Sequence, residues 1–329
     1  MSAEGGTKAI VAALAANLGI AVTKLGAWVL TFSSSMLAES IHSLADSGNQ
    51  LLLLVGGKRS RRNATARHPF GYGRERYIYA FIVSIVLFSV GGLFALYEGY
   101  HKITESLHGA PNELLGSTWW WVPLVVLVIA VGLEGYSFYT ATAETKKAKG
   151  KTSWINYIRR AKAPELPVVL LEDAAALVGL VLALLGVGLT LLTGNAIFDG
   201  IFTLGIGGLL VSVAVVLALE TKSLLLGEAA NTEDIVAIEK AILAEDDVDA
   251  IIHMKTLHLG PEELLVAVKI AVRRDETAAE IAAAIDSVEA RIRAAVPIAR
   301  MIYVEPDLYR KTGTENHSVA EGTSTNTGR

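Results

Sequence analysis

The residues of this sequence with the clearest potential for chemistry lie inside an apolar run near its N-terminus. Glu39, His42, Asp46, Asn49 and Gln50 recur there at helical spacing. At 100° per residue they fall within an arc of roughly 100° on one face of a helix. His42 and Asp46 are four residues apart, so an imidazole nitrogen and a carboxylate oxygen can share one metal ion. The alternative is a hydrogen-bonded His–Asp pair that only packs helices.

A second pair of acids interrupts another apolar run. Glu172 and Asp173 lie about one turn inside residues 166–192, and no residue of that run neutralises them. An ionisable residue at the centre of a bilayer costs about 2.5–3.5 kcal/mol, so these acids require a partner on another helix or a bound cation. We expect His42, Asp46 and Asp173 to converge with Glu172 nearby. A solvated, interfacial position is the alternative for Glu172.

Other polar residues of the apolar runs allow two interpretations each. Glu134 either lines a pathway or marks a packed helix contact. Lys24 either reaches for the membrane interface or balances an acid. Together with Glu39 and Asn49 on the polar face described above, Glu134 is a candidate pathway residue.

The elements that must position these residues are predicted to be membrane spans. Six runs have the roughly 20 apolar residues that a helix needs to cross a bilayer. They cover residues 9–32, 36–57, 77–100, 118–139, 166–192 and 197–219 of the 329. Charged residues make up only 19% of the chain, too few to cover a soluble protein of this size. There is no cysteine, which excludes thiolate metal sites, and a net charge of -4 gives no indication of nucleic acid binding.

Lysine and arginine are concentrated in two of the loops between these runs. One loop follows the second run, and the other follows the fourth run. The positive-inside rule therefore places both termini in the cytoplasm. The first apolar run has no A-x-A cleavage pattern after it and no Arg- and Ser-rich transit peptide before it. We expect a multi-pass protein of a bacterial plasma membrane.

The chain after the last run has the pattern of a small soluble domain. A membrane domain at 1–226 is followed by a domain at 227–308 and a disordered tail at 309–329. Helical spacing follows Asn231, strand-like runs cover 248–257 and 263–272, a helix capped by Asp275 follows, and a last strand covers 300–304. The expected fold is an α-helical bundle of six transmembrane helices followed by a cytoplasmic α+β domain of order α-β-β-α-β. His253 and His258 are expected on the surface of a strand.

Several stretches of the sequence resemble the cation diffusion facilitator family of metal transporters. They are SMLAESIHSLADSGNQ, HPFGYGRERY, LLEDAAALVG and TGNAIFDGIFTLGIGGLL, and the last two resemble the bacterial relatives of a mitochondrial zinc transporter. The resemblance implies a homodimer that exchanges a divalent cation for protons. It also implies that His42, Asp46 and Asp173 are metal ligands. The histidine of the fifth-span family pattern is Val169 here, so we suggest that Glu172 or water supplies a fourth ligand.

Further metal sites of the family are incomplete in this sequence. The loop after the second span keeps His68, but the other two positions of that pattern are Thr65 and Tyr72. In the tail, the positions that would carry ligands are Lys269 and Tyr303, and only His253 and Glu305 are residue types that could bind a metal. We expect these accessory sites to be absent or weak, and the tail to serve for dimerisation.

The function expected from the residues and the resemblance together is Zn²⁺/H⁺ antiport that exports metal from the cytoplasm. Metal binding needs a neutral His42 and ionised acids, so metal and protons compete for the same atoms. Few nitrogen donors would favour Mn²⁺ or Fe²⁺. A transporter of another cationic solute and a membrane scaffold remain open. We expect no enzymatic activity, no prosthetic group and no nucleic acid partner, but a lipid bilayer, a divalent metal ion and a second copy of the chain.

Overall fold

The computed structural model describes residues 3–31, 34–108 and 118–308, and within these ranges it leaves out the side chains of 3–5, 31, 34–39, 41 and 42. Its N-terminal part is helical. The helices are α1 (Ala3–Thr31), α2 (Ser34–Arg59), α3 (Glu75–Val86), α4 (Phe94–Leu107), α5 (Val122–Lys149), α6 (Trp154–Arg160), α7 (Glu165–Thr193) and α8 (Ile197–Leu226). A π-helical segment, Leu87–Leu93, joins α3 to α4.

Five helical segments of the described chain are long and apolar enough to cross a membrane. They are Gly6–Leu30, Glu75–Leu107, Val122–Lys149, Glu165–Thr193 and Ile197–Leu226. The chain is therefore a multi-pass membrane protein. Helix α2 has 26 residues, which is long enough to span a bilayer at about 1.5 Å per residue. Polar residues interrupt its apolar sequence, and for that reason its hydropathy is lower than that of the other spans.

Small residues allow the helices of the bundle to approach each other closely. A Cβ atom added at Gly207 of α8 would lie 2.7 Å from the backbone nitrogen of Leu96 in α4. One added at Gly99 of α4 would lie 2.6 Å from the backbone nitrogen of Leu204 in α8. Such contacts are typical of helices that associate within a membrane. They hold α4 against α8, while α1 packs against α2 and α5, and α7 packs against α5 and α8.

The C-terminal part contains the predicted order of helices and strands. It consists of α9 (Thr232–Ile242), β1 (Val248–Gly260), β2 (Glu263–Val272), α10 (Ala278–Ala295) and β3 (Ala299–Leu308), with the strands in the sheet order β1-β2-β3. The predicted helical membrane bundle followed by an α+β domain is therefore confirmed. By its contacts the chain divides into one unit of residues 1–228 and 257–264 and a second unit of 229–256 and 265–329. The boundary placed at 226 from the sequence stays a prediction.

Two details of the C-terminal part differ from the sequence prediction. Asp275 is not the cap of α10, because Thr277 takes that position in a capping box with Glu280. The Thr277 hydroxyl accepts from the Glu280 backbone N–H, and the Glu280 carboxylate accepts from the Thr277 backbone N–H. This second bond lowers the pKa of Glu280. His258 is not on the surface: only 1% of it is exposed, while His253 is exposed as expected.

Candidate functional site

The polar face of α2 points into the bundle along the part of it that the structure describes. Asn49 and Gln50 are almost completely buried, and Asp46 is half-buried. Glu39 and His42 belong to the same helix, but their side chains lie outside the described part of the chain. Buried amides in a membrane span need hydrogen-bond partners from neighbouring helices. Those partners define the site.

Glu172 of α7 is the direct partner of both buried amides. Asn49 Nδ2 donates to Glu172 Oε1 over 3.1 Å, and Gln50 Nε2 donates to Glu172 Oε2 over 3.0 Å. Gln50 Oε1 in turn accepts from Asn17 Nδ2 of α1 over 3.4 Å. Glu172 is 6% exposed, so the carboxylate is buried and not solvated at an interface. This chain of hydrogen bonds connects α1, α2 and α7.

Asp173, the neighbour of Glu172, has one satisfied and one unsatisfied oxygen. Its Oδ2 accepts from the Ser137 hydroxyl of α5 over 2.6 Å. Among the described residues, no donor reaches its Oδ1, although Asp173 is only 1% exposed. A buried carboxylate oxygen without a donor is costly in a low-dielectric surrounding. The carboxylate is therefore suited to hold a cation at Oδ1.

Glu134 of α5 completes a cluster of acids between the helices. It is 2% exposed and interacts electrostatically with Asp173, Glu172, Asp46 and Lys24. Lys24 of α1 also donates to the Ser43 hydroxyl of α2 over 3.1 Å. The cluster contains four acids, and of these Glu134 interacts electrostatically with the Lys24 ammonium. When these acids are deprotonated, their negative charges together favour the binding of an additional cation.

The structure brings most of the predicted site residues together and adds one that the sequence reasoning missed. Glu134 and Glu172 each interact electrostatically with Asp46 and with Asp173, and with one another. Ser137 was not predicted, although its spacing of three residues from Glu134 places both on one face of α5. Among the described residues, no group of three histidine or acidic side chains forms a complete metal site. Val169, at the family's histidine position, is fully buried in the apolar core.

The positions of the two accessory sites contact other residues of the chain. The His68 ring lies 4.8 Å from the Tyr72 ring, and the Tyr72 hydroxyl is 3.2 Å from Thr65 Oγ1. In the tail, the Lys269 ammonium lies 3.0 Å from Glu305 and 2.9 Å from Asp307. Hydrogen bonds to Asp307 and Glu305 raise the pKa of Lys269, and the same two contacts occupy both carboxylates.

Comparison with known proteins identifies relatives over most of the chain. Residues 10–226 match the family described as the cation efflux transmembrane domain. The mitochondrial proton-coupled zinc antiporter SLC30A9 of Xenopus laevis is 35% identical over 263 residues, 79% of this chain and 45% of the relative. Metal tolerance protein C4 of Arabidopsis thaliana is 31% identical over 256 residues, 77% of this chain and 54% of the relative. Magnetosome protein MamM of Magnetospirillum gryphiswaldense is 30% identical over 124 residues, 38% of each chain.

This chain spans about half the length of the first two of these relatives. The matched region includes every helix that contributes to the acidic cluster. It also includes the sequence stretches on which the resemblance was based. The family match covers well over half of the chain, and on these grounds the chain belongs to the cation efflux, or cation diffusion facilitator, family.

Proposed function

We propose that this protein carries a divalent metal ion out of the cytoplasm in exchange for protons, with zinc as the first candidate cargo. The observation that carries the proposal is the buried Asp173 carboxylate, whose Oδ1 has no donor among the described residues. Glu172 and Glu134 interact with it electrostatically, and both also interact with Asp46. Ionisable groups at this depth in a membrane are typical of substrate and ion pathways.

The proposed ligands are His42, Asp46 and Asp173, with Glu172 as a candidate fourth. Zinc takes nitrogen and oxygen ligands in a tetrahedron, and these residues supply one imidazole and two or three carboxylates. Both oxygens of Glu172 already accept from amides, whereas Asp173 has an open oxygen. We therefore assign direct metal contact to Asp173 first. Each oxygen of Glu172 keeps one lone pair beside its amide bond, so Glu172 can join as a ligand that Asn49 and Gln50 orient.

Proton coupling follows from the same set of atoms. Carboxylates and imidazole must lose their protons before they bind a metal, so protons that enter the site expel the metal. Glu39, Asn49 and Glu134 are the proposed pathway residues. The relative from Xenopus laevis is named a proton-coupled zinc antiporter, which supports the same exchange here.

The proposed site has fewer nitrogen donors than the family pattern, and this favours a second candidate cargo. Val169 replaces the histidine of the family pattern, so the proposed site has at most one imidazole. Oxygen-rich sites suit harder ions, and Mn²⁺ or Fe²⁺ is therefore the alternative to zinc. We further propose that the protein acts as a homodimer, with the α+β domain as the dimerisation domain, in a bacterial plasma membrane with both termini in the cytoplasm. It acts as a carrier and not as an enzyme.

Transport by purified protein in sealed vesicles tests the proposal. Vesicles with a pH gradient should take up zinc, and Asp173→Asn and Asp46→Asn should abolish this uptake. Glu98→Gln is the matched control, because Glu98 is an acid of the same bundle in α4, outside the cluster. Parallel assays with Mn²⁺ and Fe²⁺ decide the cargo. Uptake of no divalent ion, or full uptake by both cluster variants, would contradict the proposal.

A further inference from the structure

A cavity separate from the acidic cluster lies where α1, α2, α3 and α7 end beside the first basic loop. Its wall includes three cations, Lys58, Arg61 and Arg76, together with the carboxylate of Glu165. Ile10, Leu53 and Leu54 provide an apolar part of the same wall. The cavity therefore combines a basic rim with an apolar side, at the level where the spans leave the membrane.

Two of the four charged groups of this cavity neutralise each other. Arg76 Nη2 donates to Glu165 Oε2 over 2.7 Å, and Arg76 Nε donates to Glu165 Oε1. Both side chains are largely buried, so this bidentate pair is part of the packed bundle. The charge that the cavity offers to a ligand therefore comes from the other two cations.

Lys58 and Arg61 supply that charge. Both are exposed, and neither forms an ion pair with an acid in the part of the chain that the structure describes. The cavity thus has a net positive charge, which repels a divalent cation and attracts an anion. Its charge is opposite to that of the acidic cluster, so it is not an entrance for the metal.

The apolar side of the cavity indicates which anion fits. Leu53 is in the bundle core, and a Cβ atom added at Gly57 would meet nothing within 4 Å. The space between them is open beside the basic groups. A headgroup phosphate can lie against Lys58 and Arg61 while the glycerol and upper acyl chain lie beside the half-buried Leu54, since Leu53 and Ile10 are almost completely covered by the bundle. Basic pockets between spans on the cytoplasmic side bind anionic headgroups in this way.

We propose that this cavity is a binding site for a phosphate group, held by Lys58 and Arg61, and that the group belongs to an anionic lipid. The guanidinium of Arg61 contacts two phosphate oxygens, and Lys58 contributes a point charge. This site is independent of the metal ligands and of the direction of transport.

Lipid titration of the full chain in neutral detergent, followed by native mass spectrometry, tests the site. The probes are dioleoylphosphatidylglycerol, dioleoylphosphatidylcholine and inorganic phosphate. The test variant is Lys58→Gln with Arg61→Gln. The matched control is Lys146→Gln with Lys151→Gln, which removes the same charge from exposed positions in the last turn of α5 and just after it.

We expect phosphatidylglycerol to bind more tightly than phosphatidylcholine, and the cavity variant to weaken its binding by roughly thirty-fold. The control variant should bind like the unmodified chain. Binding of inorganic phosphate alone, with the same dependence on the variants, would support the phosphate site and overturn the lipid as its source. The site itself would be overturned if both double variants weakened phosphatidylglycerol binding equally. It would also be overturned if neither phosphatidylglycerol nor inorganic phosphate bound more tightly than phosphatidylcholine.

Discussion

The hydrogen bond from Ser137 to Asp173 offers the sharpest test of how the site is organised. Ser137→Ala removes the single donor that the described structure gives to Asp173, at 2.6 Å from its Oδ2. Hydrogen bonds to charged groups contribute about 1.5–3 kcal/mol. Groups that orient a metal ligand typically change metal affinity by about 10–100-fold. We therefore expect Ser137→Ala to weaken zinc binding by about 10–100-fold without loss of the fold.

Two further variants separate this effect from general damage to α5. Thr140→Val removes a hydroxyl one turn away that, within the described residues, donates to the Tyr136 carbonyl at 3.0 Å, and it should leave zinc affinity unchanged. Ser137→Thr keeps a hydroxyl at the same position and should restore most of the affinity. Calorimetric titration of the purified chain with zinc measures all three. If Ser137→Ala binds zinc like the unmodified chain, Asp173 does not need this donor and our assignment of its two oxygens is wrong.

Three more outcomes follow from the structure. Asp173→Asn should abolish zinc uptake by vesicles, whereas Glu172→Gln should retain part of it, because two amides already hold Glu172. Gly207→Ala should destabilise the bundle by about 1–3 kcal/mol, seen as a lower Tm, because its Cβ would meet Leu96, whereas Gly208→Ala meets nothing within 4 Å. Burial raises the pKa of Glu228, but hydrogen bonds from Lys162 and Ser223 outweigh it and lower the pKa. The stabilisation from these two hydrogen bonds is therefore complete above the unfolded pKa of about 4.3 and is lost as the pH falls through the folded pKa. Lys162→Gln should reduce this acid-sensitive part in unfolding measurements, and the bond from Ser223 should retain the remainder.

The sequence was sufficient to predict which helices carry the polar residues of the site, but not which side chains contact each other there. A stripe of polar residues in α2 and two adjacent acids in α7 are unusual in apolar runs, so their burial could be expected from composition and spacing. That Asn49 and Gln50 both bind Glu172 could not be expected. Helix rotation and depth decide which of several acids meets an amide, and single-helix periodicity does not determine either.

Residues of a common type, whose role depends on where the fold places them, were harder to predict from the sequence. Ser137 carries no signal of its own, because serine is frequent in membrane helices and usually bonds its own backbone. His258 was expected on a strand surface, but its strand continues to Gly260, three residues beyond the predicted end, and the side chain is buried there. The cap of α10 moved from Asp275 to Thr277 because Thr277 forms a capping box with Glu280.

Locating zinc directly in the protein tests the central claim most closely. Diffraction data collected at the zinc absorption edge from crystals grown with zinc would show the ion by its anomalous signal. We predict one ion between α2 and α7, within about 2.0–2.2 Å of the Asp173 carboxylate, with Asp46 and His42 as further ligands. Zinc bound elsewhere, with Asp173 Oδ1 still lacking a partner in every state, would contradict the account.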